Sequence, residues 1–149
     1  MILDTALAYT HYLAAFALIA ILAGETLLLR PGLTAADIAR LSRLDLFYGL
    51  VAVAVLALGL ARAVYGVKGW EFYAGNPYFW AKLSAFIVMG LLSVPPTLRF
   101  PNWKRTAATT GALPDAAVIR STRGYVMAQW TVFLAIPLLA AALGRNLSY

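Results

Sequence analysis

Four side chains in this 149-residue chain carry a charge or a lone pair where apolar neighbours surround them: His11, Glu25, Arg62 and Lys82. A neutral imidazole is a common axial ligand of haem iron. An amine becomes a second iron ligand once it loses its proton, and burial favours the neutral form. A guanidinium pairs readily with carboxylates such as haem propionates, and both Arg62 and Arg145 stand near the end of an apolar run. A carboxyl group such as Glu25 inside an apolar span either handles protons or forms half of an ion pair. Arg99 and Arg43 are the bases that sequence offers it. Lys82 is the sole charge in Phe79–Leu98, and a lysine there is costly unless it snorkels to the interface or finds a partner.

Other chemistry is excluded or disfavoured. There is no cysteine, so disulfides, c-type haem attachment, iron–sulfur ligation and thiol catalysis within the chain are ruled out. With one histidine, a zinc site of usual composition is a poor fit and bis-histidine haem ligation needs two chains. Met89 and Met127 are alternative soft ligands. Met89 is on the Lys82 stripe but roughly 10 Å deeper, and Met127 is near the opposite face of the membrane. The net charge of +6 does not point to nucleic acid, because the basic residues flank apolar spans instead of striping a soluble face.

These residues need elements to hold them. The chain is 62% hydrophobic and 12% charged, where soluble domains carry about 25% charged residues. The composition predicts an all-α integral membrane four-helix bundle forming a single domain over residues 1–149, with spans at about 2–29, 46–65, 79–98 and 120–143. The start, MILDTALAY, lacks the basic region of a secretory signal, so the first apolar run is expected to stay as span one. Arg30-Pro31-Gly32 ends it. Thr34 and Asp37 fit a capping box that opens a short interfacial helix, separate from span two or continuous with it. Gly66 to Pro77 reads as a loop, with an aromatic belt through Trp70, Phe72, Tyr73, Tyr78 and Trp80. Pro95 and Pro96 are expected to bend or stop span three, Arg99 to Gly111 to form a basic loop, and Pro114 to open the last helix, with a kink at Pro137.

Eight basic residues lie in the two connections between spans one and two and between three and four, against four on the other side. That asymmetry places both loops in the cytoplasm and both termini outside. Helices one and three then enter from the same face. His11, Arg62 and Lys82 come to similar depth, while Glu25 lies fourteen residues from His11 on the same stripe, roughly 21 Å away. The plain alternative is that Lys82 and Arg62 snorkel to the headgroups and His11 bonds a neighbouring backbone group or hydroxyl.

Along most of its length the chain resembles an uncharacterised family of small bacterial four-span membrane proteins. The matching pieces include His11-Tyr12-Leu13, Glu25 with Leu28 to Gly32, Leu44-Asp45-Leu46, Gly59 with Arg62, Asn76-Pro77 and Phe79 to Lys82. A second resemblance, over the first and third helices, is to HemJ-type protoporphyrinogen oxidases and copper-resistance-D-like membrane proteins. His11 is similar to the histidine of their first span, and Lys82 to the lysine of a later one. The resemblance implies haem b held by His11 and Lys82; on the reading of the residues, Arg62 or Arg145 then holds the propionates. The expected function is therefore electron transfer or porphyrin-related redox chemistry in the bacterial inner membrane, alone, as a homo-oligomer or with a membrane redox partner. Two further readings stand beside it: a non-enzymatic scaffold or complex subunit, and small-solute or ion transport by an oligomer.

Overall fold

The structure is a computed structural model that describes residues 2–145. Five helices follow one another: α1 (Ile2–Leu28), α2 (Ala35–Tyr65), α3 (Gly69–Ala74), α4 (Pro77–Thr110) and α5 (Ala116–Gly144). The four long ones are each apolar and long enough to cross a membrane. They pack as a ring in chain order. α1 lies against α2, α2 against α4 and α4 against α5, while α5 touches α1 more lightly and α1 and α4 stand diagonally.

Hydrophobic spacing decides what each helix buries. On α1 the buried side chains are Leu18, Leu22 and Glu25, one stripe at steps of four and three, and Leu29 continues it just past the helix. Tyr48, Met89, Phe100, Ile119 and Val126 meet that stripe from the other long helices. The opposite faces carry exposed Phe16, Leu27, Phe47, Leu50, Leu91 and Leu138. Apolar residues so exposed suit acyl chains as their solvent, with the backbone bonds satisfied inside each helix.

The expected interfacial helix is the first three turns of α2, which runs without a break for 31 residues. Thr34 caps it as the sequence indicates. Its hydroxyl accepts from the Asp37 N–H at 3.2 Å, and Asp37 Oδ2 accepts from the Thr34 N–H at 2.9 Å. The segment expected as a loop before Pro77 contains α3, and Asn76 caps α4 with Pro77 in its first turn.

The largest departure is in α4. It passes through Pro95, Pro96 and Pro101 and ends only at Gly111, whose φ of 71° closes the helix. The expected basic loop is therefore mostly helix. Each interior proline removes one donor. Fully buried Phe100, with Trp103 and Ala107 packed on the same core, holds the segment helical past that loss. Pro114 stands just before the Asp115 N-cap of α5 and not within its first turn, while Pro137 is inside α5 as expected.

The bundle has two distinct ends. At the basic-loop end are the α1–α2 and α4–α5 connections. At the termini end are the start of α1, the end of α5 and α3.

Candidate functional site

A cavity of about 500 Å³ opens at the termini end. α1 supplies His11 and Tyr12, α2 Gly59 and Arg62, α4 Phe79 and Lys82, and α5 Phe133, Ile136 and Pro137. Lys68 and Tyr73 reach it from the α3 region. A smaller cavity of about 70 Å³ adjoins it, again with His11, Gly59 and Lys82 in its walls. The three nitrogen-bearing side chains that sequence places at one depth thus share one space. Arg145 does not line it. That residue is exposed one position beyond Gly144, which does.

Gly59 is why the imidazole fits. A side chain there would put its Cβ 3.2 Å from His11 Cε1 and 3.6 Å from Nδ1. The absent methyl lets α2 approach the ring. Arg62 and Lys82 are its charged neighbours, and the Val55 carbonyl lies within hydrogen-bonding reach of the ring, the kind of backbone contact that the plain alternative expects. His11 Nδ1 and Arg62 Nε are both buried without a hydrogen-bond partner. The Arg62 guanidinium lies 5.3 Å from the Tyr12 ring centroid, and Lys68 Nζ lies 4.3 Å from that of Phe72. Among the described residues no carboxylate lines either cavity.

The same end is braced by contacts the sequence did not reveal. Asp4 Oδ1 accepts from the Val67 N–H at 3.3 Å, which ties the start of α1 to the turn after α2. A side chain at Gly66 would collide with the Arg62 carbonyl, so this turn needs glycine. Trp80 Nε1 donates to the Ala74 carbonyl at 2.9 Å, and the Trp70 and Tyr73 rings pack on Phe79 with centroids 6.0 Å and 5.6 Å away. Of the residues expected as an aromatic belt, Tyr73 lines the cavity, beside Phe79.

Glu25 stands in a different environment, toward the basic-loop end. It is 2% exposed and forms no ion pair, so the expected pairing with Arg99 or Arg43 does not occur. Arg99 instead donates to Ser121 Oγ and Thr122 Oγ1 on α5, at 3.3 Å and 2.8 Å. Arg43 is exposed beside Leu28 and Phe47. Asp37 with Arg40, 3.6 Å apart, is the only ion pair among the described residues. Met89 is buried on the wall of a second large cavity and Met127 is exposed, so neither reaches the space around His11.

Among the described residues no three His, Cys, Asp or Glu side chains gather as a metal cluster would. A haem asks for less, one or two axial ligands on a largely apolar wall.

Four apolar helices of spanning length, with their large side chains turned outward, define a multi-pass helical membrane protein. The family model for the DUF2214 predicted membrane proteins matches residues 3–147, and the chain belongs to that family. No curated protein and no solved structure matches it.

Proposed function

We propose that the termini-end cavity binds haem b, with His11 as an axial ligand. The observation that carries this reading is the His11 ring in the wall of a cavity that it shares with Arg62, Lys68 and Lys82 and with no carboxylate among the described residues. At about 500 Å³ the space lies within the range of about 300–1,000 Å³ usual for small-molecule and cofactor sites. Lys82 offers the second nitrogen. Arg62 and Lys68 supply positive charge for carboxylates at the open end, and Phe79, Phe133 and Ile136 supply the apolar walls. Bound there, haem would supply one-electron redox chemistry. This chain's part is to orient the group, exclude water and balance its charge. We place the basic loops in the bacterial cytoplasm and the cavity toward the periplasm, on the distribution of lysine and arginine.

The test is a pyridine haemochrome assay on protein purified in detergent from haem-replete cells. Near-stoichiometric haem b is expected, falling to background in His11→Ala. Colourless protein from such cells overturns the reading.

A second reading rests on the same unmatched cations. A cavity that is apolar inside and cationic at its mouth also suits an acidic amphiphile. If the protein is colourless yet retains an acidic lipid in the native protein and loses it in Arg62→Gln, this second function replaces the first.

A further inference from the structure

The buried polar groups near the basic-loop end belong to no part of the haem reading. Glu25 on α1 and Asp45 on α2 are 2% and 6% exposed, and they face one another closely enough to interact electrostatically. Tyr48, one turn beyond Asp45, faces both. Glu25 Oε1 has no hydrogen-bond partner. Asp45 Oδ1 accepts from Thr97 Oγ1 of α4 at 2.8 Å. The Tyr48 hydroxyl donates to Gln129 Oε1 of α5 at 2.7 Å, so its own proton is already committed.

The cations nearby are engaged elsewhere. Arg123 of α5 donates to the carbonyls of Thr26 and Leu29, at 2.9 Å and 2.6 Å, and closes the C-terminus of α1. Arg99 of α4 is held by α5 hydroxyls. Trp130 of α5 donates to Thr26 Oγ1 at 2.9 Å. Two buried carboxyl groups therefore stand near one another inside an apolar bundle, with no ion pair to a base among the described residues. Two ionised carboxylates so placed repel, and each loses its hydration. The arrangement asks for one positive charge that no described side chain supplies.

An opening reaches one of the two acids, Asp45, while Glu25 is not in its wall. A cavity of about 590 Å³ lies between α2 and α4, with Asp45 and Tyr48 in its wall together with Ser42, Ser93 and Thr97. It extends to Ser42 and Pro101, toward the basic-loop end. We propose that Glu25 and Asp45 form a proton-binding site that exchanges with the basic-loop side through this cavity. The site holds one proton between two carboxyl groups. Thr97 fixes the Asp45 oxygen on one side, and the Tyr48–Gln129 bond closes the site toward α5. The ligand is a proton, which needs no coordination shell and suits two carboxyl groups with no third acid gathered beside them among the described residues. Its position on α1, fourteen residues from His11, makes it independent of what the other cavity holds.

The experiment is infrared difference spectroscopy of the full chain in nanodiscs, with pH as the variable. A protonated-carboxyl C=O band is expected at neutral pH and should vanish in Glu25→Gln. Asp45→Asn should shift the pH at which the remaining band disappears. Dicyclohexylcarbodiimide, which attacks protonated carboxyls in apolar surroundings, should label Glu25 in the unsubstituted protein, so the test survives a variant that does not fold. A spectrum with carboxylate bands alone at neutral pH, and no adduct at Glu25, overturns the proposal. Thermal stabilisation by sodium together with that spectrum would assign the site to a metal cation instead.

Discussion

His11 owes its position to what α2 lacks. The ring edge rests over Gly59, where a methyl group would stand 3.2 Å away, so a bulky residue there competes with the imidazole for one space. Gly59→Leu should displace His11 and reduce haem recovered per chain at least tenfold, with helix content by circular dichroism unchanged. Gly59→Ala should reduce it far less, since a shift of a few tenths of an ångström relieves the contact. The Tyr48–Gln129 bond makes a second prediction at this scale. In a double-mutant cycle of Tyr48→Phe and Gln129→Leu, measured by unfolding from mixed micelles, the coupling should be about 0.6–1.7 kcal/mol, the range of interhelical hydrogen bonds in membranes. A coupling near zero would show that the 2.7 Å bond adds nothing to the bundle. His11, Arg62 and Lys82 were legible in the sequence because depth follows from counting residues along alternating helices. Gly59 was legible as a close-packing position, but its contact with His11 and the Asp45–Thr97 bond were not. Each depends on which faces of two helices meet, and counting along one helix does not give that.

At the scale of elements, caps and buried aromatics set the boundaries. Thr34→Ala removes the hydroxyl half of a capping box and should destabilise the protein by about 1 kcal/mol in reversible unfolding. Arg123 closes α1 from outside, with its guanidinium on two carbonyls that the helix leaves free. Hydrogen bonds to a charged group contribute about 1.5–3 kcal/mol, so Arg123→Ala should lower stability by that order and speed amide exchange in the last turn of α1 first. The capping box and the ends of α1 could be read from local residues, because the motif spans four positions. The extent of α4 could not. Three prolines argue locally for an end, and Phe100 and Trp103 override them through contacts with residues distant in the chain. The same limit explains Glu25. Sequence offers Arg99 and Arg43 as partners, but the fold turns Arg99 toward α5 and leaves Arg43 exposed.

For the whole molecule, the sequence already specified the bundle, because four long apolar runs admit few alternatives in a bilayer. What it left open is the ring order, with α1 and α4 on a diagonal, so that His11 and Lys82 line the cavity from opposite corners. The two polar regions then lie near opposite ends of one bundle, cationic at the termini and acidic toward the basic loops. Reporter fusions at the chain's end test the orientation. A C-terminal alkaline phosphatase should be active and a C-terminal green fluorescent protein dark, and the reverse pattern would invert the topology drawn from the basic loops. The termini-end cavity is the centre of the proposed chemistry. Its most direct measurement is a titration of the purified chain in nanodiscs with haem, followed in the Soret band, for the unsubstituted protein and His11→Ala. A sharp one-to-one end point that disappears with the imidazole is the predicted result. Equal, unsaturating absorbance in both proteins would contradict it.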